Sequence, residues 1–174
     1  LMRKLSLVFL LLISSLALAD KYALLVGIND YQNDIGALKY CVADVEAFRE
    51  SLVETAGYKP ENVHLMTDQM SGRDLPEFNN VLLRLENLAS QVQPEDTLIF
   101  YFSGHGISTQ DQSYLLALDS DTTTSRTLKR SAIPINEVNE ILSEVKAQQL
   151  LTIIDACRND PASGRGNQDN LLSD

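Results

Sequence analysis

The chain is short of cysteine, of positive charge and of long apolar runs. Two cysteines in 174 residues are too few for a disulfide-built scaffold. The 14 Lys and Arg face 24 Asp and Glu, for a formal net charge of -10. Phosphate binding needs clustered cations, so neither nucleic acid nor an anionic membrane surface is an expected partner. Two motifs are also missing. Gly27-Ile28-Asn29-Asp30 offers one glycine where a dinucleotide-binding turn needs several. Phe102-Ser103-Gly104-His105-Gly106 does not supply the Gly-x-Ser-x-Gly elbow of a serine hydrolase. What is present is a 44% share of hydrophobic residues, too high for a disordered chain, in a length that makes one domain or most of one. No internal repeat is visible.

The first residues form a separate unit. Arg3 and Lys4 give a basic start, Leu5 to Leu16 is apolar apart from three serines, and Ala17-Leu18-Ala19 has the small-x-small pattern of a signal peptidase site. Residues 1–19 therefore read as a secretory signal, and the protein as exported to the periplasm or outside the cell. A membrane span needs about 20 apolar residues, so no stable membrane anchor is expected. The other readings of this stretch are an uncleaved anchor or an internal helix.

From Tyr22 onward strand and helix patterns alternate. Tyr22 to Ile28 is an apolar run of strand length, as in a strand buried on both faces. Val45, Phe48, Leu52, Val53 and Ala56 recur at helical spacing, with Gly57 as a stop. Val63 to Thr67 is a second strand. Phe78, Val81, Leu82, Leu85, Leu88 and Val92 form the stripe of a second helix. Thr97 to Ser103 is strongly β-prone, Tyr114 to Leu118 reads as a short hairpin strand, and Ser120 to Arg130 as a Ser/Thr-rich loop. Ile135, Val138, Ile141, Leu142 and Val145 mark a third helix, and Leu150 to Ile154 a last buried strand. From Asn159 to Asp174 the composition turns polar and reads as a flexible tail. This alternation implies a mostly parallel sheet covered by helices on both faces, with functional groups at the carboxyl ends of its strands.

Two such ends carry chemistry. The strand from Thr97 runs into Ser103-Gly104-His105-Gly106, where the glycines leave the His unshielded in a loop. The last strand runs into Asp155-Ala156-Cys157-Arg158-Asn159. A lone Cys at a strand end is often a small apolar residue, and a lone His a surface one. Placed together at neighbouring strand ends, they make a nucleophile and a base that manages its proton.

Thr97 to Gly106 (TLIFYFSGHG) and Leu151 to Asn159 (LTIIDACRN) together resemble the large-subunit region of the caspase and metacaspase superfamily of cysteine peptidases. The family pattern puts the His about 50 residues before the Cys, as here. The resemblance implies a caspase-like three-layer α/β/α sandwich over residues 20–159, with 160–174 as a tail or linker to a small-subunit region. It makes His105 the catalytic base and acid and Cys157 the nucleophile, with the backbone N–H groups of Gly106 and Cys157 as the oxyanion hole. Caspases have Gln two residues before the Cys, whereas this chain has Asp155, as metacaspases do. A carboxylate there opposes thiolate formation, so it needs a purpose: binding a basic substrate side chain. Tyr40-Cys41-Val42-Ala43-Asp44 resembles the segment that supplies the second acid of that pocket. The implied activity is cleavage of a protein or peptide after Arg or Lys, held by Asp44 and Asp155. Asp44 has a second reading as the N-cap of the first helix.

Calcium-dependent metacaspases carry an acidic pair where this chain has Leu128-Lys129-Arg130-Ser131. Asp119 and Asp121 remain nearby and read as solvated loop carboxylates, so no metal and no cofactor is expected. Cys41 and Cys157 are candidates for pairing in an oxidising space. His64 reads as a bystander. Without small-subunit strands the last strand is an apolar edge, which leaves a second function open, a catalytically incomplete caspase-like binding or regulatory module.

Overall fold

The apolar run from Tyr22 becomes β1 (Lys21–Gly27) in a computed structural model that describes residues 19–158, the side chains of Cys157 and Arg158 excepted. β1 lies between β2 (Val63–Thr67) and β3 (Thr97–Ser108) and pairs with both in parallel. On its other edge β3 pairs in parallel with β6 (Gln149–Arg158). The far end of β3 turns back into the antiparallel β4 (Ser113–Leu115), which pairs with the two-residue β5 (Ile133–Pro134). The result is a six-stranded, mostly parallel sheet.

Alternation of side chains along a strand decides what covers each face. Leu24, Val26, Leu98, Phe100 and Phe102 point to one side. There they meet Val81, Leu85 and Leu88 of α2 (Phe78–Gln91) and Val138 and Leu142 of α4 (Ile135–Ser143). Ala23, Leu25, Ile99 and Tyr101 point to the other, against Val45 and Leu52 of α1 (Cys41–Glu54). Each fully buried Leu or Phe contributes about 1.5–3 kcal/mol. Helices on both faces of a mostly parallel sheet are the expected α/β architecture.

Four local features depart from the sequence expectation. β3 does not stop at Ser103 but continues to Ser108, so His105 lies within a strand and is buried, not displayed on a glycine loop. β6 likewise runs on to Arg158 instead of ending at Ile154. The Ser/Thr-rich segment holds α3 (Ser125–Ser131), started by a reciprocal cap in which Thr124 Oγ1 accepts the Thr127 N–H and Thr127 Oγ1 accepts the Thr124 N–H. The last strand is not buried: β6 has β3 as its one partner among the described residues, and Leu150, Leu151 and Ile154 are exposed. Most of the stretch read from sequence as a signal, through residue 18, and the stretch read as a tail, from Asn159, lie outside the described residues.

Gly27, the last residue of β1, sets how closely α1 approaches the sheet. A Cβ there would lie 2.6 Å from the Cys41 carbonyl oxygen and 2.5 Å from Val45 Cγ2, so the first turn of α1 would have to move. Gly27→Ala is expected to lose about 1–3 kcal/mol of stability, whereas Gly36→Ala, with nothing within 4 Å, should shift the urea midpoint very little. His64, half-buried in β2, is held below the ordinary imidazole range by burial, with Arg84 adding to the effect. The unfolded chain then binds the proton more readily, so stability should decline as pH falls below about 6.5. Urea titrations at pH 7.5 and 5.5 should show that decline, flattened in His64→Gln.

Candidate active site

β1 ends two positions short of His105. Its last partner on β3 is Ser103, and the Ile28 N–H still reaches the Ser103 carbonyl at 3.1 Å. Beyond that point the edge of β3 has lost its neighbour, and its polar backbone needs other partners. The His105 carbonyl accepts the Leu116 N–H at 2.9 Å. The His105 N–H donates to the Tyr31 hydroxyl at 2.7 Å, so a side chain stands where a strand would have been.

Tyr31 belongs to the segment joining β1 to α1, and that segment is fastened at both ends. The Asp68 carboxylate, just after β2, accepts the Asn29 N–H at 2.9 Å and the Asp30 N–H at 3.4 Å. Asn29 in turn accepts the Leu38 N–H on its carbonyl at 2.8 Å and the Val42 N–H on its side chain at 3.4 Å. On the opposite side the Gln32 N–H donates to the Leu118 carbonyl at 2.9 Å, and the Asn33 amide donates to the carbonyls of Asp119 and Ser120.

Fastened in this way, the segment presents the Gly36 carbonyl to the His105 ring. Nε2 lies 2.7 Å from that oxygen. A carbonyl can only accept, so Nε2 carries the proton and Nδ1 is the basic nitrogen. The Tyr31 ring packs against the imidazole with centroids 5.3 Å apart, and His105 is only 8% exposed. Burial pushes the Tyr31 hydroxyl well above the ordinary tyrosine range, an effect larger than the opposing backbone hydrogen bond. It therefore remains a neutral hydroxyl beside the His.

The register of β3 and β6 sets His105 directly opposite Cys157, Ser103 opposite Asp155 and Gly106 opposite Arg158. His105 and Cys157 thus occupy facing positions on adjacent parallel strands, about 4.8 Å apart in the hydrogen-bonding direction. The pairing of Cys41 with Cys157 concerns a side chain outside those described. Gly106 sits tightly between neighbours: a Cβ there would meet Ala156 Cβ at 3.1 Å and the Tyr114 carbonyl oxygen at 3.3 Å.

Asp44 and Asp155 come from different elements, the first turn of α1 and the end of β6, and both are exposed. Both act on the hydroxyl of Tyr101, which burial raises above its ordinary range, with the charges of Asp155 and Asp44 raising it further against a hydrogen bond to Ser103. The charges of both carboxylates are thus felt at one buried phenol. Asp44 is not the N-cap of α1: Tyr40 holds that position without a side-chain cap, and Asp44 lies within the first turn.

Asp119 and Asp121 are not merely solvated. Asp119 Oδ1 accepts the Phe78 N–H at the start of α2 at 2.8 Å, and Asp121 Oδ1 accepts the Thr123 N–H at 2.8 Å. Hydrogen bonds from Thr123 hold the Asp121 carboxyl below its usual range. Among the described residues no group of three or more His, Cys, Asp or Glu is arranged to hold a metal ion.

Tyr31, Gly36, Asp68 and Tyr101 escaped the sequence reading. Tyr31 had one available signal, as the only aromatic in the polar stretch Asn29 to Asp34. Gly36 acts through its carbonyl, which no side-chain pattern reveals.

The sequence profile described as "Metacaspase, peptidase C14 domain" matches residues 21–162. Metacaspase-1 of Yarrowia lipolytica is 41% identical over 92 residues, covering 52% of this chain and 20% of that protein. Metacaspase-1 of Eremothecium gossypii is 32% identical over 155 residues, covering 82% of this chain and 32% of that protein. The chain therefore spans between a fifth and a third of these two curated relatives. A crystal structure of a protein from Geobacter sulfurreducens superposes with a TM-score of 0.61 at 17% identity, over 79% of this chain and 50% of that one, a likeness of fold.

Removing the Tyr31 hydroxyl leaves a buried backbone donor without its acceptor. Tyr31→Phe is expected to cost about 1–3 kcal/mol, read from the shift in urea midpoint.

Proposed function

This chain belongs to the metacaspase family of peptidase C14 domains, and from that premise we propose that it hydrolyses peptide bonds after Arg or Lys with a Cys157–His105 dyad. A caspase-like cysteine peptidase region acts on a protein substrate. The finer reading rests above all on one observation. His105 faces Cys157 in the β3–β6 register while its Nε2–H is committed to the Gly36 carbonyl, which leaves Nδ1 as the proton acceptor.

In this mechanism the Cys157 thiol gives its proton to His105 Nδ1, and the thiolate attacks the scissile carbonyl carbon. The oxygen that becomes negative is met by the backbone N–H groups of Gly106 and Cys157. The carbon–nitrogen bond breaks as His105 returns the proton to the departing amine. Water, deprotonated by His105, then releases the acyl group from Cys157. Asp44 and Asp155, whose charges are both felt at Tyr101, bind the cationic side chain before the scissile bond. Once that cation is in place, the repulsion between Asp155 and the thiolate is offset by an attraction of similar range. Substrate binding therefore helps to activate the nucleophile. The basic start, apolar run and small-residue site of residues 1–19 support export of the protein.

Fluorogenic peptides ending in Arg, Lys or Asp, assayed with reductant and with or without calcium, test the reading. Turnover after Arg and Lys is expected, with Cys157→Ala inactive and His105→Ala lowered about 10²–10⁴-fold. Asp155→Asn should lower kcat/KM for the Arg peptide about 10–100-fold, the worth of a charged hydrogen bond. A preference for Asp would overturn the acidic pocket. No turnover of any of the three would favour the binding or regulatory module.

A further inference from the structure

We propose that the cavity beside His105, on the side away from Asp155, is the subsite for the residue that follows the scissile bond and takes an uncharged aliphatic side chain. This inference rests on the dyad and acidic pocket proposed above. The cavity has a volume of about 170 Å³, and His105 itself forms part of its wall. A water's share of liquid volume is about 30 Å³, so the space holds about six such groups, enough for a branched aliphatic side chain.

Its position follows from the spacing of β3. Side chains on one face of a strand recur at every second residue, about 7 Å apart. On this face Ser103, in register with Asp155, comes first. His105, in register with Cys157, comes one step later. Ile107, which lines the cavity, comes one step beyond. Asp155, the dyad and the cavity are therefore met in that order along the paired strands β3 and β6. A substrate that seats its basic side chain at the acids and its scissile carbonyl at the dyad carries its next residue onward over Ile107.

The lining decides which side chain that residue has. Ile107 and Leu116 are buried and belong to a small apolar cluster of their own, against which Ile35 packs. The other contributors include Thr122, half-buried, and Asp34, exposed. An aliphatic group displaces water from the apolar walls, whereas a carboxylate would lose hydration and meet the charge of Asp34. Glycine would leave the cavity unfilled.

Binding to the Cys157→Ala protein reads the cavity without the chemistry. Peptides identical except for Leu, Val, Gly or Glu directly after the Arg would be compared by competition fluorescence anisotropy. Leu and Val are expected to bind about tenfold more tightly than Gly, the worth of a small apolar group in a fitted pocket, and Glu more weakly than Gly. Thr122→Phe, which fills the space, should bring the Leu-to-Gly ratio below about two. Ile35→Ala, which enlarges it, should move the optimum toward Phe, and serves if the first variant does not fold. Equal binding of the four peptides, or a ratio unmoved by both substitutions, would each overturn the assignment. In the unmutated protein, selective binding without cleavage would sink the proposed function and leave the subsite standing. Cleavage after Arg with no such selectivity would do the reverse.

Discussion

A buried strand that outruns its neighbour must find new partners for its backbone, and this constraint shapes the whole upper end of the molecule. β3 pairs with β1 only as far as Ser103 but continues to Ser108. The vacated edge is completed by Leu116, just after the returning β4, and by the Tyr31 hydroxyl. An unpaired buried backbone group costs about as much as a lost hydrogen bond, so the segment bearing Tyr31 has to fold over the end of β1. That placement brings the Gly36 carbonyl to the imidazole. The orientation of His105 is thus a by-product of completing a sheet.

The same constraint gives the acid excess a second meaning. Several carboxylates serve as acceptors for backbone N–H groups at the ends of elements. Asp68 holds Asn29 and Asp30, Asp96 holds Asp20 and Gln93, and Asp119 holds Phe78. These are structural uses of negative charge, each joining segments that the chain itself separates or turns. Asp44 and Asp155 have no such backbone partner for their carboxylates among the described residues. Both are exposed, and both raise the Tyr101 hydroxyl by their charge.

Periodicity made α2 and α4 legible, because each buries one continuous stripe. Apolar runs did the same for β1 and β3, which are buried on both faces. The extension of β3 through Gly104-His105-Gly106 was not legible, since glycine usually marks the end of a strand. Here its small size is what allows close packing: a Cβ on Gly104 would lie 2.8 Å from the Tyr31 hydroxyl. α3 was hidden for another reason. It is polar and depends on two threonines three residues apart, a signal easily lost in a Ser/Thr-rich stretch. His105 and Cys157 could be found from neighbouring strand ends, but the atoms that orient His105 come from 69 and 74 residues earlier. Local pattern carries no record of contacts at that range.

That His105 is oriented by a main-chain oxygen has a consequence for how the site tolerates change. Any residue at position 36 supplies the same acceptor, so its identity is nearly irrelevant to the imidazole. The length of the path is not. Between Asn29, tied to Asp68, and Val42, tied to Asn29, one inserted or deleted residue would carry a different carbonyl to the ring, or none. The orientation is stored as a chain length between two fixed points, and a side-chain scan of the loop would pass over it.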